Sequence, residues 1–504
     1  MSCQLKPITM NEPSLSNYNS LALLPAVERY QRRQLLKVFW MMAIGLLLFE
    51  LQAETDSILS KFASMIITLA ALWPSYIWCS GRAFGMPIFP LFALTYTWTY
   101  GLPLVANHPL VIIYSPENHL FAGITTAGFL IISTSVWLKS VKSPPSLPKH
   151  YRALNGKKGN LFFLSIMTLA VLFNLSKNGG WLILDGGIFA AVRGAVLGLT
   201  VLASFVLTYQ LGNRTLPKIQ SQLFFILLIA YMVTDAISLV VVGAASTFMV
   251  STAAFIIGRK KVPIIAILVV TISLSVLHQG KDEMRHKYWF QTDTPTLVQP
   301  WQYFDWYSEW IGYSLEKMRA KDDIHKSSES EEKSSFVERS SVIQMLLLTQ
   351  TKSPEPIPYL YGESYAIIPQ LLIPRFLNAN KIRSHEGTFI LSIHYGLQRR
   401  EDTLGTTIGW GLLAEAYANF GLLGCVGLGV VLGNWYGKIT RWSMNAPILS
   451  AQSLFSVLLL AFSFQTEFSA GVYVSALFQS GMVLVGIVVV LMQNQKIPRF
   501  PAHH

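Results

Sequence analysis

The chain has 504 residues, of which 52% are hydrophobic and only 13% are charged. Soluble domains carry roughly a quarter charged residues, so this composition excludes an ordinary soluble protein and predicts a membrane protein. The net charge of +12 does not indicate nucleic-acid binding, because the basic residues cluster in short loops between apolar segments.

The N-terminal 35 residues are polar and lack the pattern of a cleavable signal peptide. Arg29, Arg32, Arg33 and Lys37 precede the first apolar run. This arrangement predicts a cytoplasmic tail, residues 1–35, followed by a signal anchor that the mature protein retains.

Runs of about 17 to 25 apolar residues predict roughly twelve membrane-spanning helices and therefore an all-α, polytopic membrane protein. Nine of these spans lie within residues 36–277, three lie within residues 406–492, and a second tail follows at 493–504. The predicted spans are 36–52, 60–79, 85–106, 119–138, 160–176, 186–210, 221–241, 243–258, 262–277, 407–434, 447–466 and 471–492. The boundary near Gly243 is the least distinct.

Every second connection between these spans is basic, which is the pattern of cytoplasmic loops. The basic residues are Arg82, Lys139, Lys142, Lys149, Arg152, Lys157, Lys158, Arg214, Lys218, Arg259, Lys260, Lys261, Lys438, Arg441, Lys496 and Arg499. The opposite connections hold Glu54, Asp56, Glu117 and Glu467 instead. Both termini are therefore predicted to be cytoplasmic, and the long polar segment 278–405 is predicted to be external, in the periplasm if the host has two membranes.

The external segment is uneven in composition. Residues 300–318 are rich in Trp and Tyr, which predicts an interfacial helix or a platform for stacking sugars. Residues 319–340 are charged and serine-rich and carry no predicted chemistry. From Ser341 the pattern becomes apolar and then proline-rich, and Arg375 and Lys381 bring cations close to the membrane surface.

Three charged residues lie well inside predicted spans, away from the span ends. Arg193, Asp235 and Glu415 each lie about seven or eight residues from the outer end of a span, a depth of about 10 Å at the helical rise. Because intramembrane charge usually marks a functional site, we expect the three to meet near the base of the external segment. The alternative is a structural ion pair between Arg193 and Asp235, with Glu415 bonded to neighbouring backbone.

Motifs for other chemistry are missing from the sequence. It contains no Walker loop, no dinucleotide-binding glycine pattern and no His-Glu-x-x-His zinc motif. An ATP-driven pump, a redox enzyme and a zinc protease are therefore not expected, and neither a metal nor a cofactor is predicted.

Several stretches resemble the polysaccharide polymerases of the O-antigen polymerase (Wzy) type. They are Pro356–Gly362 with Tyr365, Ile373–Lys381, and Gly405–Gly411 leading into Glu415–Gly421. The resemblance covers residues 339–425 in motif. The rest of the chain is similar only in architecture, with many spans and one large external loop late in the sequence.

The resemblance implies a metal-independent glycosyltransferase of the C class (GT-C-like). Such an enzyme joins sugar repeat units carried on undecaprenyl diphosphate at the outer face of the bacterial inner membrane, for O-antigen, capsule or exopolysaccharide. Its site needs cations for the leaving diphosphate and a base near the attacking hydroxyl. The catalytic candidates are Glu415, Arg375, Arg193 and His394, and the substrate-binding candidates are Arg339, Lys381, Asp235, Tyr365, Tyr417 and Asn419.

Two other functions stay open from the sequence. An O-antigen ligase shares the lipid-linked donor and the long loop, and a flippase for lipid-linked oligosaccharides also suits twelve spans. Transporters usually show repeated halves, whereas this chain has nine spans before its loop and three after it, which favours the enzyme. The bilayer is an expected partner, together with a chain-length regulator and a flippase of the same pathway.

Overall fold

The computed structural model describes residues 29–53, 55, 57–143, 150–182, 186–259, 261–290, 297–324, 341–373, 378, 381–404 and 407–496. These residues form an all-α protein with one small two-stranded sheet. Ten of the described helices are long and apolar enough to cross a membrane. The predicted fold class, a polytopic all-α membrane protein, is confirmed.

The elements before the polar segment 278–405 are mainly long helices. In chain order they are α1 (Arg29–Gln52), α2 (Ile58–Cys79), α3 (Ile88–Tyr96), α4 (Pro109–Ile112), α5 (Pro116–Val141), β1 (His150–Ala153), α6 (Gly156–Asn178), α7 (Gly186–Gly212), α8 (Lys218–Ala236), α9 (Val241–Arg259) and α10 (Ile264–Arg285).

The helices that follow differ widely in length. They are α11 (Tyr303–Ile324), α12 (Ile343–Lys352), α13 (Glu363–Ala366), α14 (Ile368–Leu372), α15 (Glu386–His394), α16 (Leu412–Ser443), α17 (Ala451–Phe462) and α18 (Ala470–Val490), with β2 (Gln493–Lys496) at the end. Strand β2 pairs antiparallel with β1, so the last described residues contact the connection between α5 and α6.

Each predicted span coincides with a helical segment, but two segments are shorter than the ten long helices. Helix α3 continues only through a π-helical turn, Thr97–Gly101, and a 3-10 turn, Leu102–Leu104. Helix α17 has 12 residues. Near Gly243 the chain forms two separate helices, α8 and α9, and α10 continues past the boundary predicted at residue 278.

Helix α16 is broken at Phe420 and Gly421. Gly421 has φ +59° and ψ −143°, a conformation that side-chain-bearing residues rarely adopt. The break frees backbone carbonyls, which in a membrane must find other donors. The N–H of Leu360 donates to the carbonyl of Ala418, and the N–H of Tyr361 donates to that of Asn419. The proline-rich loop, residues 353–362, therefore supplies the donors that the broken helix lacks.

Glycines let α16 pack closely on α5. A Cβ added at Gly433 would collide with the carbonyl oxygen of Ser133, and one added at Gly437 would lie 2.9 Å from Ser140 Cβ. Small residues at a helix interface permit this close approach inside a membrane, where packing rather than hydrophobicity drives association.

We expect Gly433→Leu to destabilise the protein by about 1 to 3 kcal/mol, because the new side chain overpacks the α5–α16 interface. Thermal unfolding of the purified protein in detergent micelles should show a lower transition temperature. Gly427→Leu is the matched control, since nothing lies within 4 Å of a Cβ at Gly427. An equal effect of both substitutions would contradict the packing argument.

Candidate functional site

A fully buried carboxyl group lies at the junction between the polar segment 278–405 and the long apolar helices. The side chain of Glu415, one turn into α16, is 0% exposed. Its Oε1 accepts a hydrogen bond from Ser364 Oγ at 2.7 Å, and its Oε2 accepts one from the backbone N–H of Ala470 at 2.5 Å. Ala470 is the first residue of α18. The positive end of that helix dipole therefore faces the carboxyl group, which favours negative charge there.

Asn419 extends this network by one helical turn. Its Nδ2 donates to Ser364 Oγ at 2.9 Å and to the carbonyl of Glu415 at 2.8 Å. Its Oδ1 accepts from the backbone N–H of Gly362 at 3.0 Å. Ser364 and Asn419 are both 0% exposed. Helix α13 and the loop before it are thus attached to α16 by buried hydrogen bonds.

Aromatic side chains surround this network on the side of the polar segment 278–405. Tyr365 stacks on Phe420 with ring centroids 6.3 Å apart, and Tyr359 contacts Tyr417 edge to face at 6.2 Å. Tyr361 is 75% exposed. Burial raises the pKa of Tyr365, and the nearby Glu415 charge adds to the rise. The hydroxyl of Tyr365 therefore stays protonated and can donate a hydrogen bond.

A large apolar groove begins at these aromatic residues. Its volume is about 1430 Å³, and α16, α17 and α18 form its walls. The lining is almost entirely apolar and comprises Tyr359, Tyr361, Tyr365, Leu412, Phe420, Leu423, Gly424, Gly427, Leu428, Val431, Leu432, Trp435, Trp442, Ala451, Phe455, Ala470, Tyr473, Val474, Leu477, Phe478, Gly481, Met482, Leu484, Val485 and Val488. Exposed lining residues such as Leu423 and Val431 show that the groove opens sideways.

The groove is long enough to follow a lipid tail through the bilayer. Along α16 its lining runs from Phe420 to Trp442, a rise of about 33 Å at 1.5 Å per residue. This length matches the hydrocarbon core of a bilayer, which is roughly 30 Å thick.

His394, at the end of α15, forms one side-chain hydrogen bond with the residues that the structure describes. Its Nε2 lies 2.8 Å from the carbonyl oxygen of Pro358, next to Tyr359 at the groove. Because a carbonyl can only accept, Nε2 carries the hydrogen, and in the neutral ring Nδ1 is the nitrogen with a free lone pair. Among the described residues, no hydrogen-bond partner of Nδ1 is found.

The structure separates the predicted site residues into two groups. Glu415, Asn419, Tyr365 and Tyr417 lie together around the start of α16. Arg193 of α7 and Asp235 of α8 lie close enough to interact electrostatically with each other and with Lys177 of α6, but the described contacts of Glu415 include none of them.

The remaining candidates are cations of the polar segment 278–405. Lys381 is half-buried, and its backbone N–H donates to the carbonyl of Asn378. Arg339 and Arg375 lie outside the described residues. Within the described ranges, no cluster of three His, Cys, Asp or Glu side chains suits a metal ion.

Sequence reasoning missed Ser364, Lys177 and the groove. A serine in a loop carries no signal that it will be buried against a carboxyl group. Lys177 ends a span, where a lysine is usually an anchor at the membrane surface. The groove arises only when α16, α17 and α18 pack.

Residues 312–496 match the family model of O-antigen polysaccharide polymerase Wzy. This stretch of the chain belongs to the Wzy family. The Wzy stretch contains the Glu415 network, His394 and the groove, whereas Lys177, Arg193 and Asp235 precede it. No curated protein and no solved structure matches the chain.

The Wzy match supports a general activity and confirms the family predicted from the motifs. It indicates an O-antigen polymerase, a glycosyl-transferring enzyme of the membrane that acts on a lipid-linked oligosaccharide. The ten long apolar helices agree with a multi-pass membrane protein of this kind.

A double-mutant cycle should show that the Wzy stretch depends on the buried network. We expect Glu415→Gln and Ser364→Ala to couple by about 0.5 to 3 kcal/mol, because each removes the partner of the other. Reversible unfolding in mixed micelles measures the free energies. Ser463→Ala is the matched control, since Ser463 is equally buried but donates to the carbonyl of Leu460. Similar coupling of Glu415→Gln to both serine variants would contradict the network.

Proposed function

We propose that the chain joins oligosaccharide repeat units carried on undecaprenyl diphosphate. The observation that carries this proposal is the apolar groove, which begins at the aromatic residues beside the Glu415 network. A polyprenyl tail suits the groove, because its length and its apolar lining match a hydrocarbon chain lying along the bilayer. The attached sugars then lie among Tyr359, Tyr361 and Phe420, whose rings offer stacking surfaces.

The reaction transfers the growing glycan from its lipid diphosphate to a hydroxyl of the next repeat unit. The acceptor oxygen forms a bond with the anomeric carbon while the bond from that carbon to the phosphate oxygen breaks. The diphosphate leaves with the electron pair, and the hydroxyl proton passes to a base. A free lone pair at Nδ1 supports His394 as that base.

Cations are required where the diphosphate leaves, because negative charge grows there in the transition state. Arg375 and Lys381, in the segment that follows α14, are our candidates for this role, together with Arg339. An arginine can bind two phosphate oxygens at once through its planar guanidinium group.

Glu415 acts in this proposal as a positioning residue. Both of its oxygens are already hydrogen-bonded and the side chain is fully buried. Its role is to hold α13, and with it Tyr365, against α16 and the start of α18. Asn419 and Tyr417 support the same loop from α16.

The orientation follows from the distribution of charge. The basic connections on one side support a cytoplasmic location of both termini and a periplasmic location, at a bacterial inner membrane, of the segment between α10 and α16. The partners that we propose for this activity are a flippase that delivers the repeat units and a regulator of chain length.

We expect His394→Ala to reduce polymerisation by about 100-fold or more, the usual contribution of a general base. The measurement is the glycan profile of a deletion strain complemented with each variant, with membrane levels checked. Single repeat units should replace long chains in strains with His394→Ala, with Arg375→Ala or with Gly427→Trp, which fills the groove. His385→Ala, at the other end of α15, is the control and should retain long chains.

Other profiles would identify a different function. Long lipid-linked chains that are not attached to their final acceptor would indicate a ligase. Repeat units that accumulate only on the cytoplasmic face would indicate a flippase. Normal long chains in the His394→Ala strain would exclude His394 as the base.

A further inference from the structure

Two cations lie together at one end of α6, α7 and α8, outside the Wzy stretch. Lys177 is in the last turn of α6 and is half-buried, and Arg193, in the second turn of α7, is exposed. Asp235 is the next-to-last residue of α8. Asn178 Nδ2 donates to the carbonyl of Thr234 at 2.7 Å, which joins the end of α6 to the end of α8 and brings Lys177 and Asp235 close together. The three charges are near enough to influence one another. We call Lys177, Arg193 and Asp235 the α6–α8 cluster.

The carboxyl group of Asp235 lies against the start of α9. A Cβ added at Gly243, the third residue of α9, would collide with Asp235 Oδ2. The first N–H groups of a helix lack partners within it and carry partial positive charge. The start of α9 therefore adds to the positive charge that Asp235 meets from Lys177 and Arg193. In the described part of the chain, no acidic side chain forms an ion pair with Lys177 or Arg193.

In the described part of the chain these two cations face one carboxyl group, so the α6–α8 cluster carries net positive charge. Charge in a membrane-spanning region is costly and usually indicates a ligand or a pathway. The chemistry of the pair suits a phosphate group, which a guanidinium binds through two oxygens and an ammonium attracts as a point charge. Arg193 is open to the surroundings, while α11 covers the neighbouring end of α8, where Tyr307 donates to the carbonyl of Val233 at 2.7 Å.

Helix α18 lies between the α6–α8 cluster and the groove. Phe478 and Met482 of α18 line the groove. On another face of the same helix, Ser480 contacts Gly198 of α7, and Gln479 approaches Gly194, the residue after Arg193. A ligand held by Lys177 and Arg193 would therefore be separate from a lipid tail in the groove.

We propose that Lys177 and Arg193 bind the phosphate-bearing headgroup of a second lipid-linked substrate. The inference rests on the proposed function, since a polymerase must hold two lipid-linked glycans, one that donates its chain and one that accepts it. The groove holds one lipid, and the α6–α8 cluster holds the headgroup of the other.

Native mass spectrometry of the full chain in detergent micelles, with undecaprenyl diphosphate as the probe, tests this proposal. The unaltered protein should retain two lipids, whereas Lys177→Gln with Arg193→Gln should retain one and bind the second about tenfold or more weakly. Arg214→Gln with Lys218→Gln, at the opposite ends of α7 and α8, is the matched control and should retain two. Lys177→Arg with Arg193→Lys keeps the charge and should restore the second lipid.

A groove variant separates the two proposals. Gly427→Trp should lose the groove lipid and keep the lipid at the cluster. If Gly427→Trp still binds two lipids while the double Gln variant binds one, the groove assignment fails and the cluster assignment stands. Two lipids with unchanged affinity in the double Gln variant would overturn the inference. Equal competition at the cluster by phosphatidylglycerol or by inorganic diphosphate would also overturn it, since the site would then hold a structural phospholipid or a free anion.

Discussion

The buried carboxyl group of Glu415 is the constraint on which the rest of the site depends. A charged or polar group in such a place is costly unless every atom is bonded. Two groups donate hydrogen bonds to this carboxyl group. They are Ser364 Oγ, in the polar segment 278–405, and the Ala470 N–H, at the start of α18. Three parts of the chain that are far apart in sequence must therefore come together before the carboxyl group can be buried. The positions of the aromatic residues and of the groove entrance follow from that assembly.

The break in α16 shows that the backbone, like the Glu415 side chain, has its polar groups hydrogen-bonded. A straight helix would keep its own hydrogen bonds and would leave the proline-rich loop without partners in the membrane. Gly421 adopts a positive φ that glycine tolerates, and this break frees the carbonyls of Ala418 and Asn419. The N–H groups of Leu360 and Tyr361 donate hydrogen bonds to them. A Cβ at Gly421 would also lie 2.8 Å from the hydroxyl of Tyr359. The loop is thus attached through main-chain as well as side-chain bonds, and its tyrosines have a defined place at the groove.

Hydropathy alone predicted the helices, because the length and polarity of a span are local properties of the sequence. It described α3 and α17 less well, since a π-helical turn and a short helix depend on neighbouring helices. Arg193, Asp235 and Glu415 were expected to meet because they share a depth. Depth is a single coordinate, however, and says nothing about lateral position, and α18 lies between the α6–α8 cluster and the groove beside Glu415. The motifs around Glu415 and Asn419 did indicate the family, but the bond through Ser364 required the folded chain.

The sideways opening of the groove changes what concentration means for its ligand. The lipid proposed for the groove enters from the bilayer and not from water, so its occupancy depends on the number of lipid-linked molecules per unit area of one leaflet. Confinement to two dimensions raises the effective concentration of a scarce lipid. Dilution with other lipids lowers it even when the total amount in the sample is constant. A dissociation constant for this groove is therefore expressed as the mole fraction of the ligand among the lipids. Values obtained at different lipid-to-protein ratios are comparable only when they are converted to mole fractions.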